Sequence, residues 1–415
     1  MSNGIRAEAE PMSPKKRLSS NASKQADGGS SGYGRARLWL GISAVGTLVT
    51  SACLLLSLDI AGVIEQRVDS TISGQMIGLA VFVLSYSAIQ FPFDVLGGYL
   101  LPKHFGRSHP RFFRYLLNLC RGVIVHATLL FISAIGICFA GRWGGSVGTA
   151  AAGLIMSTLL LAGRSTLATL MASLKLVQDG ASNVMSGDAL HLRFARSMDE
   201  GFTGGIVGVL HARLQIIPAQ WRELLSPEGF EIAVYRRSIA VNTGIWRRGR
   251  NLAILFTAAG LTISTWLVAP MKLGTVGGTI EFSLWFTLWS FVGLLSLPTP
   301  SRRGVIEIDE VVNSEGNSSE ALRTMTRLLD ELQDGEPVKP TFVETIFHPI
   351  PSVRTRLEGP RSSGVIGFWD AARTSIYLSL AGLGLLGRAV HCLSLIHISE
   401  PTRLRRISYA VFCLK

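Results

Sequence analysis

Long apolar stretches are the feature that most constrains the fold of this chain. A helix crosses a bilayer with about 17–25 apolar residues, and stretches of roughly this length lie near Leu38–Leu58, Met76–Leu96, Gly122–Ala140, Gly145–Ala162, Leu252–Val268 and Phe282–Leu297. A further stretch begins near Thr374. Only 16% of the 415 residues are charged, whereas soluble proteins have about 25%. The sequence therefore predicts an all-α polytopic membrane protein with about seven transmembrane helices.

Basic residues alternate between the connections of these spans and predict their orientation. They concentrate in the N-terminal tail, in the connection after the second span and in the polar segment from Gly163 to Arg250. The other connections carry only Arg67, Arg142 and Lys272. By the positive-inside rule, the N-terminus and both large polar segments face the cytoplasm, at the inner membrane if the protein is bacterial. The net charge of +12 is thereby explained without a nucleic-acid partner.

This pattern divides the chain into seven segments. We expect a disordered basic tail (1–36), four transmembrane helices in two hairpins (37–164), a cytoplasmic block (165–250), a transmembrane hairpin (251–300), a second cytoplasmic block (301–370), the start of a seventh helix (371–392) and a final segment of 23 residues (393–415). That final segment, Leu393–Lys415, contains LSLIHISEPTR and ISYAVFCLK. Both match the translation of a common transposase sequencing adapter, so we expect it to be a read-through artefact.

The two cytoplasmic blocks carry the informative motifs. Two short strands, Thr203–Leu210 and Arg213–Ile217, are predicted to form a hairpin before the stretch LSPEGFEIAVYRRSIA, Leu225–Ala240. Ser226 is a good N-cap for a helix there, with Pro227 at its first position. The second block contains SRRGVIEIDEVV from Ser301, an amphipathic helix predicted over Ser318–Gln333, and FHPIPSVRTRL from Phe347.

These motifs, in this order, resemble those of the membrane zinc metallopeptidases of the CAAX prenyl endopeptidase and heat-shock HtpX-like type. The LSPE helix resembles that family's active-site helix, and the resemblance aligns the HExxH positions with Arg236, Arg237 and Ala240. The third zinc ligand aligns with Val305. Arginine has no lone pair to give a metal, and alanine and valine have no donor atom. The resemblance therefore implies the family's fold, with a small mixed α/β cytoplasmic domain of the gluzincin type, but not its metal chemistry.

Other positions still match the family. The matching side chains are Glu307, Asp309, His348 and Arg354. In the family, the edge strand before the active-site helix holds the substrate peptide by strand addition, and this implies a peptide-binding strand at Gly204, Gly205, Ile206 and Val207. We therefore predict a pseudopeptidase without a cofactor, in contact with the lipid bilayer and with membrane-protein or peptide segments. The oligomeric state is left open.

Two alternatives compete with this prediction. The first is an active metalloendopeptidase that uses a displaced zinc site, in which case zinc would be bound. The second is a transporter or channel subunit, which would place ionisable groups deep in its spans. Asp59, Asp94 and Glu281 lie near predicted span ends, however, and only His126 lies well inside one.

Overall fold

The computed structural model describes residues 31–107, 109–163, 175–177, 191–196, 202, 204–207, 214–296, 298–314, 319–333, 335–340, 351–358 and 369–370. The N-terminal tail, the predicted seventh span, the suspected adapter segment and His348 lie outside this part of the chain. The structure is mostly helical.

The first half of the described chain consists of apolar helices. Their bounds are α1 Ser31–Ser57, α2 Ile60–Arg67, α3 Ile72–Val95, α4 Leu101–His104 and α5 Phe112–Ala162, with a π-helical turn at Leu96–Leu100 between α3 and α4. Three segments of the described residues are long and apolar enough to cross a membrane, namely Gly32–Ser57, Ile72–His104 and Phe112–Leu160.

Helix α5 is two antiparallel arms joined at Gly145. This glycine has φ 52° and ψ −137°, which is not a helical conformation. The chain reverses so tightly that a Cβ atom on Gly148 would lie 2.2 Å from the carbonyl oxygen of Ala140. Ile137 of the first arm and Met156 of the second belong to one apolar cluster. The two spans predicted at 122–140 and 145–162 are therefore one hairpin, and the total of seven membrane helices stays a prediction.

Two further apolar helices pack with these, α8 Ile245–Leu267 and α9 Val276–Ser296, joined through a 3₁₀ turn at Pro270–Lys272. Helix α9 packs against α1, α2, α3, α5 and α8. Small residues permit close packing, since a Cβ atom on Gly260 would lie 2.2 Å from the Trp289 side chain.

The first polar block (165–250) contributes a four-stranded sheet with strands β1 Lys175–Val177, β2 His191–Arg196, β3 Gly205–Val207 and β4 Leu214–Pro218. The strand order is β1-β2-β4-β3, with β2 and β4 parallel and the other two pairs antiparallel. The predicted hairpin is thus present as β3 and β4, with Ile206 opposite Gln215. Strands β1 and β2 were not predicted: β1 has only three residues, and the alternation in β2 is interrupted at Phe194 and Ala195, which are both buried.

The remaining helices are α6 Trp221–Leu224, α7 Pro227–Asn242, α10 Pro300–Ser314, α11 Ser319–Gln333 and α12 Val353–Glu358, with a short parallel strand pair β5 Pro298–Thr299 and β6 Trp369–Asp370. Helix α7 lies in the core between the sheet and helices α10 and α11. The amphipathic pattern of α11 is confirmed, because its predicted apolar stripe is buried (Leu322, Met325, Leu329 and Leu332).

One basic side chain connects the apolar helices with the second polar block (301–370). The guanidinium of Arg107, just after α4, donates to the carbonyl oxygens of Leu332 at 3.2 Å and Gln333 at 2.8 Å. These carbonyls lie at the C-terminal end of α11, where the helix dipole favours a cation. The C-terminal end of the α3–α4 segment is therefore adjacent to the second block.

Candidate functional site

Helix α7 carries the positions that the resemblance aligns with the zinc site. Its start is as predicted, since the Ser226 hydroxyl accepts a hydrogen bond from the backbone N–H of Gly229 at 3.1 Å and Pro227 follows. The helix has little exposed surface towards its C-terminal half, where five consecutive residues from Arg236 to Ala240 are buried. A buried helix that carries two consecutive arginines requires polar partners for them.

Arg236 obtains its partner from α10. Its Nη2 atom lies 2.7 Å from Oδ1 of Asp309. The same carboxylate accepts two hydrogen bonds from Arg356 of α12, from Nε to Oδ2 at 2.8 Å and from Nη2 to Oδ1 at 3.1 Å. We call these three residues the Asp309 cluster. Its side chains are only 8%, 8% and 9% exposed for Arg236, Asp309 and Arg356, so one buried carboxylate lies between two guanidiniums.

Arg237 contacts a different group. Its guanidinium carbon lies 5.0 Å from the centre of the Trp221 ring, within range of a cation–π interaction, and the residue is 1% exposed. Tryptophan is the most favourable ring for such a contact. The position that the resemblance aligns with the general base therefore carries a permanent positive charge.

The other two aligned positions carry only hydrocarbon. Ala240 on α7 and Val305 on α10 are both fully buried. Val305 precedes Asp309 by four residues, so both lie on the same face of α10. Zinc sites in proteins use cysteine, histidine or carboxylate ligands, and these positions offer guanidinium, methyl and isopropyl groups. The residues at the aligned positions do not fit a zinc ion.

The described residues contain no group of three or more His, Cys, Asp or Glu side chains arranged to hold a metal ion. The remaining matching positions are dispersed. Glu307 is half-buried on α10, whereas Arg354 is exposed and its backbone N–H donates to the Pro337 carbonyl at 3.1 Å. Of the positions implied by the resemblance, the structure brings Arg236 and Asp309 into direct contact.

Sequence reasoning missed Arg356. The motif match selected Arg354, two residues earlier, but Arg356 is the residue that binds Asp309. A signal was present, because an aspartate on the buried face of α10 requires a cationic partner. The segment SVRTRLE offers two arginines, and the sequence did not reveal which of them faces the core.

Strand β3 is an edge strand of the sheet, and the residue before it has a backbone conformation that favours glycine. Gly204 has φ 71°, and a Cβ atom there would lie 1.9 Å from the carbonyl oxygen of Ile216. Only glycine fits this close approach of two backbones. Gly205 and Ile206 are buried, with Ile206 in the same core cluster as α7. Of the predicted strand Thr203–Leu210, the structure describes Gly205–Val207 as β3, which packs next to helix α7, and Thr203 and residues 208–210 lie outside the described part of the chain.

Comparison with known proteins gives one informative result. No protein-family profile matches the chain, and no curated protein matches it. Among solved structures, the crystal structure of Ste24p from S. mikatae superposes with a TM-score of 0.60 at 10% sequence identity, covering 84% of this chain and 99% of that one. Ste24p is a membrane zinc metallopeptidase of the CAAX protease type, and at this identity the likeness concerns the fold alone. The chain is a mostly helical integral membrane protein with a Ste24p-like fold.

Proposed function

We propose that this protein is a catalytically inactive relative of the membrane zinc metallopeptidases that retains a role in binding peptide or membrane-protein segments. The observation that carries the proposal is the Asp309 cluster. In the register implied by the motifs, Arg236 replaces the first zinc-binding histidine, and it forms an ion pair with the family-matching aspartate instead. Arg237, Ala240 and Val305 replace the general base and the other two ligands.

Electrostatics support the loss of metal binding. Arginine stays protonated at all accessible pH values and cannot coordinate a cation. Two unit charges 4 Å apart near a protein surface interact by about 4 kcal/mol, so a divalent ion beside Arg236 and Arg237 would be strongly repelled. The Asp309 carboxylate is already bound by two guanidiniums. A metal would have to displace them to reach the one buried carboxylate of the cluster.

The primary test is metal content and peptidase activity of the purified full-length protein in nanodiscs. We expect zinc far below one ion per chain by mass spectrometry of the metals, and no cleavage of unfolded membrane substrates that is sensitive to chelator. Stoichiometric zinc together with chelator-sensitive cleavage would contradict the proposal. It would favour the alternative of an active metalloendopeptidase with a displaced zinc site.

A reconstruction of the zinc ligands tests the register. The variant Arg236→His/Arg237→Glu/Ala240→His/Val305→Glu restores both histidines, the base and the third ligand. We expect it to acquire zinc, whereas a matched variant that keeps Val305 should hold zinc more weakly because it has only two ligands. Zinc content no higher than wild type in a monodisperse reconstructed protein would refute the assignment of these positions.

The binding role is tested separately at strand β3. A photo-crosslinking amino acid at Val207 should capture an added extended peptide from an unfolded membrane protein, as strand addition requires. The matched control places the same group at Val177 of β1, at the other end of the strand order. Equal capture at both positions would remove the support for peptide binding at β3.

A further inference from the structure

The helices α1, α2, α3, α5 and α9 enclose a groove with a volume of about 650 Å³. It lies away from the Asp309 cluster, and its walls are almost entirely apolar. Leu48 and Leu55 of α1 line one wall, Phe82 of α3 a second, and Ile280 of α9 a third. The volume lies within the range of ligand pockets, about 300–1,000 Å³.

The groove is long and apolar. Helix α3 lines it from Gly74 to Ile89, which at 1.5 Å per residue is a length of about 22 Å. An elongated groove with apolar walls suits a single extended hydrocarbon chain.

The groove opens towards the lipid-facing surface and offers little to water. Ile77, Val81 and Ile89 line it and are also exposed on α3. Hydroxyl side chains contribute a minor part of the wall (Ser51, Ser85, Tyr86, Thr279, Ser283 and Thr287). Those of Thr279 and Thr287 donate at 2.8 Å to the carbonyls of Thr275 and Ser283 in their own helix. The rest of the wall is mainly hydrocarbon, which favours a hydrocarbon occupant.

One end of the groove is charged. Arg67 at the end of α2 and Asp69 just after it line the groove beside Gly74, and both are exposed. This end lies at the start of α3, remote from the Arg107 contact with the second block. The Asp69 carboxylate accepts a hydrogen bond from Thr71 N–H at 3.2 Å, which fixes it at the mouth. A cation and an anion two residues apart complement a headgroup that carries both charges.

We propose that this groove binds one acyl chain of a zwitterionic phospholipid, with the headgroup phosphate at Arg67 and the headgroup amine at Asp69. The proposal is independent of the proposed function, because it concerns other helices and requires neither zinc nor its absence. Bound in this way, the lipid is an integral part of the membrane domain: its chain fills a cleft between α1, α3 and α9 that no side chain fills.

The test uses the full-length protein in vesicles of equal parts phosphatidylethanolamine and phosphatidylglycerol. A trace of phosphatidylethanolamine carries a diazirine on its acyl chain, and labelled peptides are located by mass spectrometry after irradiation. We expect labelling concentrated on the groove-lining faces of α1, α3 and α9. Val81→Trp should fill the groove and reduce this labelling about tenfold, a loss of about 1.4 kcal/mol of binding free energy.

The matched control is Leu84→Trp, which adds the same ring at an exposed position of α3 that does not line the groove. It should label like wild type. Even labelling of all lipid-facing surfaces, or equal labelling in the two tryptophan variants, would overturn the proposal by showing bulk lipid only.

The headgroup assignment has its own measurement. A phosphatidylglycerol probe with the same diazirine should label the groove several-fold less than the phosphatidylethanolamine probe. In Arg67→Gln/Asp69→Asn this preference should disappear. Equal labelling by both probes in the wild-type protein would overturn the zwitterionic assignment.

Discussion

Two ionic groups at opposite ends of the molecule connect segments that are distant in sequence, and they differ in burial. The Asp309 cluster joins α7, α10 and α12 through side chains that are less than a tenth exposed. At the other end, Lys272 lies 3.0 Å from Glu281 and 3.7 Å from Asp59, with side chains that are 42%, 16% and 69% exposed. The three charges of the Asp309 cluster are almost completely shielded from solvent, whereas the charges around Lys272 remain in contact with solvent.

The difference determines what each group contributes. Exposed ion pairs contribute about 0–1 kcal/mol because water and salt screen them. A buried pair contributes little over an apolar replacement, yet removal of one partner is costly because the other charge stays buried. We therefore expect the Asp309 cluster to make the fold intolerant of single substitutions and the Lys272 pair to be replaceable.

The largest effect is expected for Asp309→Ala, which leaves two buried guanidiniums without their carboxylate. The free energy of unfolding should fall by about 3–5 kcal/mol, measured by denaturant unfolding in detergent micelles. Glu310→Ala, at the exposed neighbouring position of α10, should change it by less than about 0.5 kcal/mol. A loss as small as that of the control would place the cluster in the same class as the exposed pair.

Arg356→Lys should have a smaller effect. Lysine keeps the charge but cannot reproduce the two-pronged contact with Asp309, so we expect a loss of about 1.5–3 kcal/mol, the value of a hydrogen bond between charged groups. The control is Arg323→Lys at an exposed position of α11. Equal stability of the two variants would indicate that charge alone, without geometry, maintains the cluster.

Glu281→Gln probes the exposed group, and we expect a loss of at most about 1 kcal/mol. The difference from wild type should shrink when salt is raised to about 1 M, where the screening length is about 3 Å. The loss in Asp309→Ala should be insensitive to the same change. Salt dependence of both losses, or of neither, would remove the distinction between the two groups.

The smallest effect is the pH dependence of the Lys272 pair. The hydrogen bond to Glu281 raises the pKa of Lys272 above its ordinary value of 10.5, with the nearby charges of Glu281 and Asp59 acting in the same direction. With both carboxylates ionised, the contribution is therefore complete from neutral pH up to about 10.5 and is lost as the pH rises through the raised pKa. The stability difference between wild type and Lys272→Met should be constant between neutral pH and about 10.5 and disappear at higher pH. A difference that begins to decline in the neutral range would contradict this assignment.

The sequence correctly predicted the features that depend on hydropathy and on helix capping. The helices at the predicted spans, the Ser226 cap and the buried stripe of α11 follow from local patterns that need no tertiary information. The hairpin of β3 and β4 also follows from its turn and its β-branched residues.

What sequence reasoning could not supply is the pairing of distant charges. The motif register led to Arg236 and Asp309, but their contact depends on how α7 packs against α10. The choice between Arg354 and Arg356 depends on the rotation of a six-residue helix, which is too short to have a reliable amphipathic period. Strand β1 is too short to be recognised alone, and β2 is defined by its pairing with β1 and β4.

The reversal at Gly145 bears on how the chain enters the bilayer during synthesis. Both arms of α5 can insert together as one hairpin and remain in the hydrocarbon. Only the short glycine-rich turn between them has to pass through the bilayer to its other side. That turn exposes the single charged side chain of Arg142, whose transfer to the centre of a membrane costs about 2.5–3.5 kcal/mol on an insertion scale. On the far side its guanidinium donates to the carbonyl of Gly274 and to Gln75. The main free-energy cost of insertion is thus the transfer of one guanidinium. After insertion, the same guanidinium links the hairpin to α3 through Gln75 and to the segment before α9 through Gly274.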